Sequence, residues 1–107
     1  MTQVTFTLPP TLAALPVAER DSLIRAGLFE AVQSRMRHLA AEIEESEQHI
    51  QRYEEKYGVS LARFEVERLP NLDTLQAHED YNNWFFWEET RQQNQQILTD
   101  LKKAYVD

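Results

Sequence analysis

Residues 29–57 read FEAVQSRMRHLAAEIEESEQHIQRYEEKY. Within them Phe29, Val32, Met36, Leu39, Ile43, Ser46, Ile50, Tyr53 and Tyr57 recur at alternating spacings of three and four. A 3.5-residue repeat keeps one narrow apolar stripe on the same side of a helix, and such a stripe is buried against another helix. The stretch therefore predicts a long helix built to pair.

Reading outward, Pro16 suits a first helical turn and Gly58 can take the left-handed conformation past a last one. The helix is predicted over 17–57, about 60 Å long at 1.5 Å per residue. Ser60 offers an N-cap for a short helix over 61–69 that Pro70 ends, and Asp73 with Gln76 can cap a further turn. A last helix is expected over 80–106, with Trp84, Trp87, Arg91, Asn94, Leu98, Leu101 and Tyr105 as its own heptad seam.

The two seams can be laid together antiparallel with Trp84 beside Tyr57. In that register Tyr105 meets Met36, Ser46 falls beside Asn94 or Gln95 as a polar layer, and Arg91 comes near Glu47 or Ile50. A parallel pairing of the long helix with itself would set Glu42 against Glu47, which like charges disfavour. The expected fold class is thus all-α: a long helix in an antiparallel helical hairpin or coiled coil, plus a short N-terminal extended arm or β-strand. One helical domain spans residues 1–107, divided into an arm (1–16), the long helix (17–57), a short helix and linker (58–79) and the C-terminal helix (80–106).

Residues 3–8, QVTFTL, alternate polar and apolar before Pro9-Pro10, the period of a half-buried strand. One strand cannot pair with itself. It would need the same strand of a second copy or must lie along the helices as an arm, and a homodimer built from these arms and the remaining apolar faces is expected.

The chain has 107 residues, 27% of them charged and 42% hydrophobic, with no cysteine. That balance suits one folded domain of a reducing cytoplasm, without disulfides or thiolate metal sites. No apolar run approaches the length of a membrane span or a signal peptide. The net charge of −7 is uneven, for residues 41–107 hold seven basic and fifteen acidic side chains. Such asymmetry marks one end for a different partner from the other, although acidic residues also simply solvate helix faces, as Glu42, Glu44, Glu45 and Glu47 can.

No catalytic constellation can be read, so the chain is expected not to be an enzyme and to need no cofactor. His78-Glu79-Asp80 is the nearest approach to a metal or acid-base site, but no second His or Cys stands at a ligand spacing. The densest chemistry is the aromatic run Tyr81, Trp84, Phe85, Phe86 and Trp87, flanked by Glu79, Asp80, Glu88 and Glu89. At 100° per residue Trp84 and Trp87 share a face while Phe85 and Phe86 point away, so a two-helix contact cannot bury all of them. These nine residues are the candidate partner-binding set, with Trp and Tyr the residue types favoured at hot spots. A weaker reading makes the N-terminal strand a DNA reader through Gln3, Thr5 and Thr7, with Arg20 and Arg25 on phosphates. The strand itself carries no basic residue, while backbone charge dominates affinity for DNA.

The block IQRYEEKYGVSLARFEVERLP (50–70), followed by AHEDYNNWFFWEE (77–89), resembles small bacterial and archaeal proteins with a YEEKYGMSFEEFE-like centre and a D-Y-x-x-W-like element. Those are similar to the antitoxin halves of two-gene type II toxin-antitoxin operons. The resemblance covers about residues 48–90 and implies a role in partner binding and nothing catalytic. The front segment VTFTLPPTLAALPVAERDSLIRAGLFEAV (4–32) is similar to the ribbon-helix-helix pattern, with DSLIRAGL (21–28) at the start of its second helix. Three functions follow as expectations: an antitoxin-like subunit neutralising a toxin, a structural coiled-coil homo-oligomer or adaptor, and a ribbon-helix-helix-like DNA-binding regulator.

Overall fold

The structure is a computed structural model that describes residues 3–105. Its helices are α1 (Pro10–Ala13), α2 (Val17–Tyr57), α3 (Leu61–Glu67) and α4 (Leu75–Tyr105), with a 3-10 turn at Leu69–Asn71. No strand occurs among the described residues, and residues 3–9 form no regular element, so the expected alternative of a β-strand at 3–8 is replaced by an arm. The sequence pattern there supplies alternation without a neighbouring strand to pair with. The contacts group into two compact units, residues 1–34 and residues 35–107.

Residues 3–34 hold no buried side chain. Leu12 and Leu15 sit with Arg20, Leu23 and Ile24 around a small apolar hollow. Gly27 lies inside this part of α2 and a methyl group there would meet no atom within 4 Å. A glycine inside a helix costs about 1 kcal/mol relative to alanine, and helices draw most of their stability from packing.

Residues 35–105 contain the core. Met36, Leu39, Ile43, Ser46 and Ile50 of α2 are buried, as are Leu61 and Phe64 of α3 and Trp84 and Leu98 of α4. The predicted stripe is therefore buried from Met36 to Ile50 and half-buried at Val32, Tyr53 and Tyr57, whereas Phe29 is 47% exposed. The pairing is antiparallel: Tyr57 stacks on Trp84, His49 on Trp87, and Asn94 Nδ2 donates to Glu42 Oε2 at 3.1 Å. As the numbers fall along α2 they rise along α4, but the pairs His49–Trp87, Glu42–Asn94 and Lys56–Asp80 set a register about one helical turn away from the expected one, so that Trp84 meets Tyr53 as well as Tyr57.

Two details of the expected register differ. Ser46 is fully buried, but its hydroxyl donates to the Glu42 carbonyl one turn back at 3.0 Å. A serine hydroxyl is short enough to be satisfied by its own helix, and it is the Glu42 side chain that reaches Asn94. Arg91 lines a cleft with Glu47 and Ile50 yet donates to Glu88 at 2.9 Å on its own helix.

The last helix begins at Leu75 rather than near Asp80, because Thr74 rather than Asp73 caps it: its Oγ1 accepts from the Ala77 amide at 3.1 Å. Val106, placed at its far end by the sequence, lies outside the described residues. Ser60 caps α3 through the Arg63 amide, and α3 ends at Glu67, two residues before Leu69 and Pro70 enter the 3-10 turn.

Gly58 has φ 71° and follows the last turn of α2, its amide donating to the Glu54 carbonyl at 2.7 Å. A Cβ in that conformation costs about 1–2 kcal/mol. Gly58→Ala is therefore expected to lower the unfolding free energy by about that amount, since no contact stands in the way of the methyl itself. Urea titration reads it, and an unchanged midpoint would refute the assignment of Gly58 as a conformational rather than a packing glycine.

Candidate functional site

Trp84 organises the aromatic run. Its side chain is fully buried, with ring centroids of Tyr53, Tyr57 and Phe64 at 5.8, 5.9 and 5.3 Å. Phe64 brings α3 over the same ring and meets Tyr57 edge-on at 4.9 Å. Such stacked and tilted pairs add about 0.5–1.5 kcal/mol each beyond area burial. The indole Nε1 is buried and has no hydrogen-bond acceptor.

Asp80, one turn earlier on α4, is also buried and accepts from three side chains. Lys56 Nζ and Tyr57 Oη both donate to Oδ2 at 2.6 Å, and Gln76 Nε2 donates to Oδ1 at 2.9 Å. Burial alone would raise the Asp80 pKa, but these donors and the Lys56 charge hold it below the ordinary carboxylate value. Burial and the same carboxylate push the Tyr57 hydroxyl up to about 12. This clasp fastens the last turn of α2 to the first turns of α4.

Trp84 and Asp80 are thus withdrawn from the candidate partner-binding set: one fills the core and the other clamps two helices. Tyr81 is half-buried against Phe64, and Trp87 is half-buried with its ring stacked 4.0 Å from His49. Glu79, Phe85, Phe86 and Glu89 remain open to solvent, and Glu88 is half-buried beside Arg91.

Phe85 opens onto a groove of about 350 Å³ lined by Ser60, Leu61 and Ala62 at the start of α3 and by Glu65, Glu88, Glu89 and Gln92. Glu88 also borders a neighbouring cleft of about 470 Å³ whose other walls include Glu47, Ile50, Glu54 and Arg91. Five carboxylates therefore face the two hollows against one guanidinium, which is itself bonded to Glu88. Burial, reinforced by the charge of Glu65, raises the pKa of the Tyr81 hydroxyl behind Phe85. An apolar floor under a negative rim can take an apolar or aromatic side chain flanked by cations.

Phe86 points elsewhere, packing at 5.0 Å on Trp87. His78 and Glu79 are exposed while Asp80 is not, and the described residues contain no group of three His, Cys, Asp or Glu side chains placed to hold a metal. Gln3, Thr5 and Thr7 lie exposed on the arm without a strand to present them, Arg20 is ion-paired with Asp21 at 3.5 Å, and Arg25 is exposed. No described helix is long and apolar enough to cross a membrane.

Sequence reasoning did not reach Ser60, Leu61, Ala62, Glu65 or Gln92 as groove residues, nor Lys56, Tyr57 and Gln76 as partners of Asp80. The clasp joins residues 24 and 23 positions apart, and no local pattern encodes that. Comparison with protein families, with curated proteins and with solved structures finds no match to this chain.

Proposed function

We propose that this chain is a non-catalytic binding subunit, antitoxin-like in role, that holds a basic segment of a partner protein in the groove around Phe85. The observation that carries the reading is the pairing of an exposed aromatic, Phe85 at 44% exposure, with Glu65, Glu88 and Glu89 around one concave surface. Aromatic anchors inside a polar rim dominate binding energy, and a negative rim selects and steers a positive partner. A basic, RNA-directed toxin fits that chemistry, and the resemblance of residues 48–90 supports it.

Co-purification with the product of the neighbouring open reading frame tests the assignment. Phe85→Ala is expected to weaken that complex at least about tenfold, while changing the stability of the free chain by less than about 1 kcal/mol because the ring is half exposed. Glu65→Lys combined with Glu89→Lys should slow association and flatten its dependence on salt. Binding that ignores both changes rejects the groove as the contact surface; growth inhibition by the partner that this chain does not relieve rejects the antitoxin role.

A further inference from the structure

The unit formed by residues 1–34 carries a surface that the groove does not use. Val4, Phe6, Val17, Leu23, Leu28 and Phe29 are between 47% and 81% exposed. At 100° per residue Val17 and Leu28 fall on one face of α2, with Leu23 and Phe29 well to either side of it. Ile24, Leu28 and Val32 follow one another at four-residue spacing on that same face, so with Val17 they form one apolar strip along α2.

We propose that this surface is an interface with a second copy of the chain. Charge selects that occupant: residues 1–34 hold two basic and three acidic side chains, whereas residues 35–107 hold nine and fifteen. Two copies can meet through the first unit with almost no like-charge repulsion, while pairing through the second would bring two acidic surfaces together. Arg20 is already neutralised by Asp21 at 3.5 Å, which further lowers the field of this face toward an identical one. A two-fold pairing uses the same patch on both copies, so one strip of apolar residues suffices to build it.

Sedimentation equilibrium of the full chain purified alone, with no partner protein, tests this. The expected mass is twice the 12.6 kDa of one chain. Leu28→Glu, with Val17→Glu as a second variant on the same face, should raise the dimer dissociation constant at least about tenfold. Both positions are exposed, so far-UV circular dichroism should retain the α2 and α4 signal. Phe85→Glu should leave the mass doubled, which separates loss of self-association from loss of the groove's partner. A mass that stays at that of one chain, a doubled mass that survives both of those substitutions, or one abolished by Phe85→Glu alone overturns the proposal.

Discussion

Trp84→Ala is expected to cost about 3–5 kcal/mol of unfolding free energy, the range for removing a fully buried large aromatic. Single-domain stabilities lie near 5–15 kcal/mol, so the variant should be largely unfolded at modest denaturant or warm temperature. The magnitude follows from position: the ring has zero exposure and touches Tyr53, Tyr57 and Phe64, so its loss opens a cavity where three helices meet. Trp84→Phe should cost only about 1–2 kcal/mol. The smaller ring keeps most of the stacking, and the exchange deletes an indole N–H that is buried without an acceptor. Phe86→Ala, at a position 51% exposed, should stay within about 1 kcal/mol of the parent. Chemical denaturation of the three variants reads the order; a Trp84→Ala cost below that of Phe86→Ala would refute the placement of Trp84 as the keystone of the core.

That ordering inverts part of what the sequence alone suggests. The heptad positions of α2 and α4 are legible because burial against one neighbouring helix imposes a period, and a period survives in one dimension. Hence the hairpin, its antiparallel sense and the pairing of Tyr57 with Trp84 could all be read from spacing. The same reasoning separated Phe85 and Phe86 from the seam, and both are exposed. It could not decide how far α3 reaches over the aromatic run, since that depends on the turn through Gly58 and the placement of Phe64. For the same reason the groove beside Phe85 was invisible: its floor comes from Leu61 and Ala62, whose approach to α4 is set by the turn and not by any repeat. Polar partners were least legible. Ser46 matches Asn94 in the expected register, but the pairing is shifted by about one turn so that Glu42 faces Asn94, and the serine hydroxyl is satisfied by the carbonyl of its own helix. In sequence Asp80 reads as part of the partner-binding flank, but it is buried by donors from Lys56 and Tyr57, which lie 24 and 23 positions away in the chain.

Acid should loosen this protein through Asp80 in particular. Its carboxylate is fixed by Lys56, Tyr57 and Gln76, and its folded pKa lies below the ordinary value at which it titrates in the unfolded chain. The unfolded chain therefore takes up the proton first as pH falls. The clasp's contribution is present in full above the ordinary carboxylate value and is lost as pH drops from there through the folded value. Tyr57 acts in the opposite direction at the other end: its pKa is pushed up to about 12, so its contribution is present below the ordinary tyrosine value and fades as pH rises toward 12. At pH 7 all four groups are in their bonded states, and Asp80→Ala should cost about 2–3 kcal/mol, since it strands a partly buried hydroxyl and a lysine. The cost stays below that of a fully buried ion pair because the Lys56 side chain is 52% exposed and can turn to water. Urea unfolding of the parent and Asp80→Asn at pH 7 and pH 3.5 isolates the effect from the other carboxylates, which both proteins share. The stability gap between the two should shrink at the lower pH as Asp80 of the parent begins to protonate in its unfolded state. A gap of equal size at both values would mean that the carboxylate charge contributes nothing to the clasp.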